Sequence, residues 1–288
     1  MNGEKAQVDA RELFEALRDH TGPDVFATVV EPWLGRAAGG YRQELVEGVG
    51  RLGEYAVAGS DEQCVELLWE LYALSRVSDV LLLAFQPRTD EDEPWAATVT
   101  MAQYLELFTR LGMTPFEESP VFDPFLHEIV EVEQAEDPDE PIRVTEVVWP
   151  GLWFGHLLFG RAGVRVRAGV RHAERGVADR APLYWTYRRR HRPTVDESMG
   201  WGSNSQWRTG FRVDLRTADG YELNVFGGGD IDDTEGFTDA SLTPRERREL
   251  LRHRCLLRRP VHVALLAATP RWQEDLYPFR GHLRIPTA

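Results

Sequence analysis

The sequence predicts an α+β fold: an N-terminal acidic helical layer packed on a predominantly antiparallel β-sheet, with a basic helix late in the chain. Three observations predict it. Apolar residues recur at helical spacing in the first half, alternate with polar ones in much of the second, and the two halves differ in charge. Helices followed by strands favour segregated layers over a doubly wound parallel sheet. Residues 1–120 are the helical half and 121–288 the β-rich half, expected to join in one compact unit.

The helices announce themselves in order. Asp9, with Glu12 and Leu13 following, offers a cap for a helix through about Asp19. Ser60 and Gln63 have capping-box spacing ahead of Cys64, Leu67, Leu68, Leu71, Leu74, Leu81, Leu82 and Phe85, a 3.6-residue stripe with Glu62, Glu66 and Glu70 on its wet side. A third helix over 100–111 buries Met101, Tyr104, Leu105, Phe108 and Leu111, and Gly112 is placed to stop it. Between the second and third lies the acidic turn-rich segment PRTDEDEP.

Five segments read as strands: IRVTEVV, VRVRAGV, PLYWTYRRR, QWRTGFRVDL and YELNVF. In the second, Val164, Val166 and Val170 share one face and Arg165, Arg167 and Arg171 the other, so it should be half exposed. Thr243-Pro244 with Glu246 starts the late helix, and seven arginines fall between 245 and 259.

Composition bounds the function. An apolar content of 42% with nine Trp in 288 residues supports a packed core and excludes wholesale disorder. No apolar run follows Lys5, so no secretory signal is expected, and VVWPGLWFGHLLFG is broken by Pro150 and three glycines and too short to span a membrane. A cytoplasmic protein with no membrane partner is the expectation. Cys64 and Cys255 then read as two buried thiols. Lys5 is the one lysine among 33 basic residues, a bias better explained by GC-rich coding than by chemistry. Residues 1–140 carry net −21 and 141–288 net +7, which fits either an interaction surface or two self-docking layers, with the layers favoured.

The stretch GWGSNSQWRTGFR supplies the candidate site. The chain must fold back through ADG, and a two-residue Asp219-Gly220 turn would mix polar and apolar groups on one face. A three-residue loop, 218–220, instead sets Leu215 against Leu223 and Val213 against Val225, and is preferred. Extended backward, it sets Phe211 opposite Gly227, Arg208 opposite Asp230, Gln206 opposite Asp232 and Ser205 opposite Asp233, with slippage allowed at glycines 227–229. Trp201, Ser203, Asn204, Ser205, Gln206 and Arg208 would then face Asp230, Asp232 and Asp233, a polar corner with a flat apolar wall. The competing interpretation is structural: a ladder ion pair, turn caps and core tryptophans, and it carries somewhat more weight.

Other motifs are weaker. His127-Glu128 with Glu131 is one residue from a zincin motif, yet HEIVEVEQ alternates as a strand, which separates the ligands. DIDDTEG lacks the Gly and Glu of a calcium loop. The run Tyr184, Trp185, Tyr187 and Arg188–Arg190 places Trp185 and Tyr187 in the core and the arginines at an edge or against the acidic helices; with pI ≈ 5.1, no nucleic-acid partner is expected. His156, inside an aromatic run, reads as a core histidine.

No nucleotide, nucleophile or metal fingerprint appears, so neither a cofactor nor a metal is expected. The leading expectation is a non-catalytic binding protein whose acidic N-terminal half regulates or neutralises a basic partner. Its rival is an enzyme acting on a small polar or anionic molecule at the 200–208/227–233 corner, with Asp230 or Asp232 as acid or base, Arg208 holding an anionic group and Trp201 a planar one. The residues alone do not decide whether catalysis occurs.

Overall fold

The computed structural model describes residues 8–87, 98–117, 121–195, 207–231, 242–260 and 281–286, and every structural statement concerns these. The helical layer comprises α1 (Ala10–Asp19), α2 (Glu31–Ala37), α3 (Gly40–Gly50), α4 (Leu52–Ala58), α5 (Glu62–Leu82) and α6 (Met101–Arg110), with a π-helical turn, Phe26–Val30, leading into α2. Asp9 caps α1 through Glu12 N at 2.8 Å, and Thr100 with Gln103 forms a full capping box on α6, whose end is fixed by Gly112 at φ 104°. The cap of α5 differs from expectation. Asp61, not Ser60, accepts from Cys64 N at 2.8 Å, because the helix begins one residue later than the Ser60 box requires.

The strands are β1 (Thr114–Phe116), β2 (His127–Gln134), β3 (Arg143–Trp149), β4 (Gly151–Phe154), β5 (Leu157–Gly160), β6 (Ala162–Ala168), β7 (Leu183–Tyr184), β8 (Thr194–Val195), β9 (Leu215–Thr217), β10 (Gly220–Leu223), β11 (Gly229–Asp230) and β12 (Gly281–Pro286). A largely antiparallel sheet runs β1-β4-β5-β9-β10-β12-β11, a second runs β2-β6-β3, and β7 pairs β8. The fold is α+β, and α7 (Pro244–His253) has the Thr243–Glu246 capping box that the sequence implied.

One apolar cluster holds Leu13, Phe14, Trp33, Leu71, Leu74 and Phe108 from the helices together with Trp149, Leu152, Phe154, Leu157 and Phe159 from the strands. Each fully buried side chain of this size contributes about 1.5–3 kcal/mol, so the helical layer and the large sheet are held by shared burial. On the smaller sheet Val164 and Val166 point inward, while Arg165 and Arg167 point out to Glu131, Glu146, Glu133 and Glu140. That strand is half exposed as its alternation demands, but it stops at Ala168 and leaves Val170 exposed.

Two expected strands are cut short, and one unassigned segment forms a hairpin. PLYWTYRRR is a strand only at Leu183–Tyr184, since Trp185 takes φ 56° and turns the chain toward α5. Of QWRTGFRVDL, residues 207–215 are described, and they enter the sheet only at Leu215; Phe211 N instead donates to Leu68 O on α5 at 3.0 Å. The run WPGLWFGHLLF, unassigned from sequence, forms the β4–β5 hairpin, and His156 sits exposed at its turn rather than in the core. The thiols of Cys64 and Cys255 are free and buried.

The hairpin register also departs from both sequence alternatives. Leu215 faces Glu222 and Thr217 faces Gly220, so the turn is Ala218-Asp219 with Gly220 at φ 145°. Beyond the ladder, Asn224 at φ 52° absorbs one residue, and Val225 N donates to Val213 O at 3.0 Å, restoring the expected partnership. Two bonds hold the slip: buried Asp214, just before β9, accepts from Asn224 N at 2.8 Å, and from outside the hairpin Gly281 O accepts from Asn224 Nδ2 at 2.8 Å.

The arginine run docks inward. Arg189 reaches Asp79 on α5 at 2.8 Å and Glu128 on β2 through two bonds of 2.7 and 2.8 Å, all three side chains being almost fully buried. Tyr187 N donates to Asp79 Oδ2, Arg190 N to Gln86 Oε1 and Arg190 Nε to Leu83 O. This segment therefore clamps the end of α5 to the smaller sheet. Burial pushes the Glu128 carboxyl up, but the Arg189 charge overrides it and leaves Glu128 at about 2. Asp79, with one bond to the same guanidinium, is left above its ordinary value by burial.

Two outcomes follow from these contacts. Asp61→Ala should cost about 1 kcal/mol and Ser60→Ala less than about 0.5 kcal/mol in urea denaturation, and equal losses would refute the Asp61 cap. Arg189→Met strands two buried carboxylates and should cost about 3–5 kcal/mol. Because Glu128 is depressed from 4.5 to about 2 on folding, its stabilisation is complete above pH 4.5 and disappears as pH falls through 2. Stability measured against pH should show that acid loss in the parent and not in Arg189→Met.

Candidate functional site

A cleft of about 530 Å³ opens in the helical layer between the start of α1, α3, α4 and the first half of α5. Local sequence builds its walls. Glu44 and Glu47 lie three residues apart on α3, and Glu66 and Glu70 four apart on α5, so each pair shares one helix face. Gly48 lets the two helices approach, for a Cβ there would meet Leu67 at 3.0 Å. Tyr41, Tyr55 and Trp69 supply aromatic surface.

Five carboxylates, Asp9, Glu44, Glu47, Glu66 and Glu70, line the cleft against two guanidiniums, Arg11 and Arg51. Arg51 lies over the Tyr55 ring at 5.0 Å and donates to Gln63 at 3.3 Å. Glu44, Glu47 and Glu66 are exposed, their charges turned to solvent. Glu70 is different: its Oε1 accepts from Ala10 N at 2.6 Å and Tyr41 Oη at 2.7 Å. It thus satisfies a first-turn amide of α1, where the helix dipole favours negative charge. The expected wet face of α5 is therefore wet at Glu62 and Glu66 but structural at Glu70.

Burial raises the Glu70 carboxyl even though both donors oppose the shift. Burial, followed by the Glu70 charge, raises the Tyr41 phenol well above its ordinary range, so it stays protonated and donates. Carboxylates beside aromatic side chains offer a guanidinium or ammonium both charge pairing and ring contact. Trp69 already carries such a contact, with the Arg208 guanidinium 5.7 Å from its ring centre.

Arg208 is thus the one predicted site residue whose side chain the structure places, and it lies beside this cleft. Asp230 belongs to β11, where its ladder neighbour is His282 of β12 in parallel register, not Arg208. The expected ladder fails because residues 207–211 follow α5 instead of β10, through Phe211 N and Leu68 O. Trp201, Ser203, Asn204, Ser205, Gln206, Asp232 and Asp233 lie outside the described residues. Close backbone approach at the glycines is real at Gly227, where a Cβ would stand 2.8 Å from Gly281 O.

At the zincin-like segment, Glu128 is committed to Arg189, and His127 Nδ1 accepts from Asp123 N at 3.0 Å. Among the described residues no group of three or more His, Cys, Asp or Glu is arranged to hold a metal ion, the cleft carboxylates included. No described helix is long and apolar enough to cross a membrane.

Comparison of the chain with family models, curated proteins and solved structures finds no match. Sequence reasoning missed Tyr41, Glu44, Glu47, Tyr55 and Trp69; the available signal was Glu44 and Glu47 at helical spacing opposite the recognised Glu66–Glu70 face.

Glu70 makes a testable point about charge. Its folded state binds a proton more tightly than the unfolded chain, so acidification from the raised value down to the ordinary 4.5 stabilises the protein through this group. Glu70→Gln retains an acceptor for Ala10 N and removes that slope. Denaturation at neutral pH should show stability unchanged or slightly raised, with a flatter response to mild acid. A loss above about 2 kcal/mol at neutral pH would mean that the charge itself is required at the α1 terminus.

Proposed function

We propose that this chain is a cytoplasmic, non-catalytic binding protein that captures a basic protein partner through the acidic cleft of its helical layer. The observation that carries the proposal is the convergence of Glu44, Glu47 and Glu66 with the Trp69 and Tyr41 rings around a space of about 530 Å³. That space accommodates one or two arginine or lysine side chains. The long-range attraction comes from net −21 over residues 1–140, which accelerates encounter with a cationic surface.

The carboxylates divide the work. Glu44, Glu47 and Glu66 are exposed and form no ion pair among the described residues, so pairing them with a cation costs little desolvation. Glu70 and Tyr41 form the rigid back wall, locked to each other and to α1. Trp69 presents a ring suited to guanidinium stacking, which favours arginine over lysine. Arg208 occupies part of that ring and yields it when the partner's arginine enters.

The test is calorimetric titration of the full chain with hexa-arginine and hexa-lysine peptides at about 25 and 250 mM salt, on either side of strong screening. Binding at low salt, weakened at least about tenfold at high salt, is expected, with hexa-arginine the tighter ligand. The combined Glu47→Gln and Glu66→Gln substitutions should weaken it about tenfold with an unchanged melting temperature. Absence of binding at the lower salt, or equal binding by the double variant, would remove the cleft from consideration.

A further inference from the structure

A second cavity lies inside the molecule, where the inner half of α5 meets the strands. It is small, about 40 Å³, which is room for about three water-sized groups. Arg161, Arg189 and Arg254 line it, together with Ser78 and Tyr104. Two carboxylates on its wall, Asp79 and Glu128, are both taken up by Arg189.

Behind this wall three guanidiniums surround one acid. Asp214, fully buried, accepts from Arg212 Nε at 2.7 Å and from Arg254 Nη2 at 3.4 Å, and Arg161 Nη2 stands 3.8 Å away. Its Oδ1 also accepts from Asn224 N at 2.8 Å. Arg161, 2% exposed in its side chain, uses Nε on Phe125 O and Nη2 on Arg252 O, and its Nη1 has no partner. Arg212 Nη1 and Arg254 Nε are unpartnered as well. Orphaned charged donors in a dry interior cost several kcal/mol unless something accepts from them.

The charges give the same direction. Arg161, Arg189, Arg212 and Arg254 stand against Asp79, Glu128 and Asp214, leaving one positive charge uncompensated on and behind the cavity wall. Ser78 Oγ and Tyr104 Oη are 2.9 Å apart, so one hydroxyl hydrogen joins them and the other is free for an acceptor. Burial, then the like charges of Arg254 and Arg212, drives the proton affinity of Arg161 well down, a cost that a nearby anion would relieve.

We infer that this cavity is a binding site for one small oxyanion, of the carboxylate, hydrogencarbonate or phosphate type, held by Arg161 and Arg254 with the Ser78–Tyr104 hydroxyl pair. A planar or tetrahedral oxyanion matches the fork of a guanidinium and accepts several donors at once. Water could satisfy individual donors but would leave the buried charge in place. The site is separate from the acidic cleft, and neither depends on the other.

Thermal unfolding of the full chain at fixed pH and ionic strength tests this, with formate, hydrogencarbonate, phosphate, chloride and the bulky anion gluconate as probes. A saturable rise of the melting temperature, on the order of 5 °C at a hundredfold excess over Kd, is expected with at least one of the three small oxyanions and not with gluconate. The formate, hydrogencarbonate and phosphate arms distinguish the source of the shared chemistry. Tyr104→Phe retains the buried ring and should raise the half-saturating concentration about tenfold, from loss of one charge-assisted bond; Arg161→Gln should abolish saturation. Equal melting temperatures across the series would mean that water fills the cavity and would overturn the inference. So would a response to chloride alone, or a saturable response with unchanged midpoint in Tyr104→Phe, which also decides the matter if Arg161→Gln does not fold.

Discussion

The guanidinium of Arg189 sits between two buried carboxylates, Asp79 from the helical layer and Glu128 from the smaller sheet, and much of the architecture depends on that placement. A buried charge is tolerated only when its partners come with good geometry, so the three groups constrain one another in position. To satisfy them, the chain must leave β7 early, reverse at Trp185 and run beneath the inner end of α5. The neighbours Tyr187 N, Arg190 N and Arg190 Nε then find acceptors on α5 or just beyond it, converting one ion pair into a clamp along several residues.

The same economy of arginine recurs through the interior. Arg76 on α5 lies 3.8 Å from the Tyr187 ring centre and 4.6 Å from that of Trp207, so its charge is accommodated among aromatic faces. Arg192 reaches the carbonyls of Ile129 and Ala178, and Arg212 lies over Trp185 while holding Asp214. Delocalised charge and a fixed fork of donors let a guanidinium do this where an ammonium could not. The arginine-rich composition is thus put to structural use, and the surplus of guanidinium over acid around Asp214 is what points to an anion.

The charge asymmetry between the halves divides by depth. Asp79 and Glu128 are spent on the clamp, and Glu70 on the first turn of α1. Glu44, Glu47 and Glu66 remain at the surface around a concave, aromatic-sided space. Self-docking therefore accounts for only part of the acidic excess; other acids such as Glu15, Asp19, Glu31 and Glu54 are exposed away from the cleft, and three exposed glutamates line it.

What the sequence by itself determined was local. Apolar periodicity located α1, α5 and α6, the Asp9–Glu12 and Thr243–Glu246 spacings located two helix starts, and alternation located β2, β3 and β6. Such features are set by neighbours three or four residues away or by the two-residue pleat, so one stretch of chain contains all the information. Only the tertiary structure decided the rest. It shortened the Tyr184–Arg190 strand because Arg189 is drawn to partners 61 and 110 residues away, and it chose the hairpin register because Asp214 and Gly281 O both fix Asn224. It moved Arg208 from the expected partner Asp230 to Trp69, and it assembled the cleft from residues on four helices. The strand length and the hairpin register turn on buried polar groups finding their partners, and Arg208 and the cleft on which helices come together; none of these is written in the residues next to them.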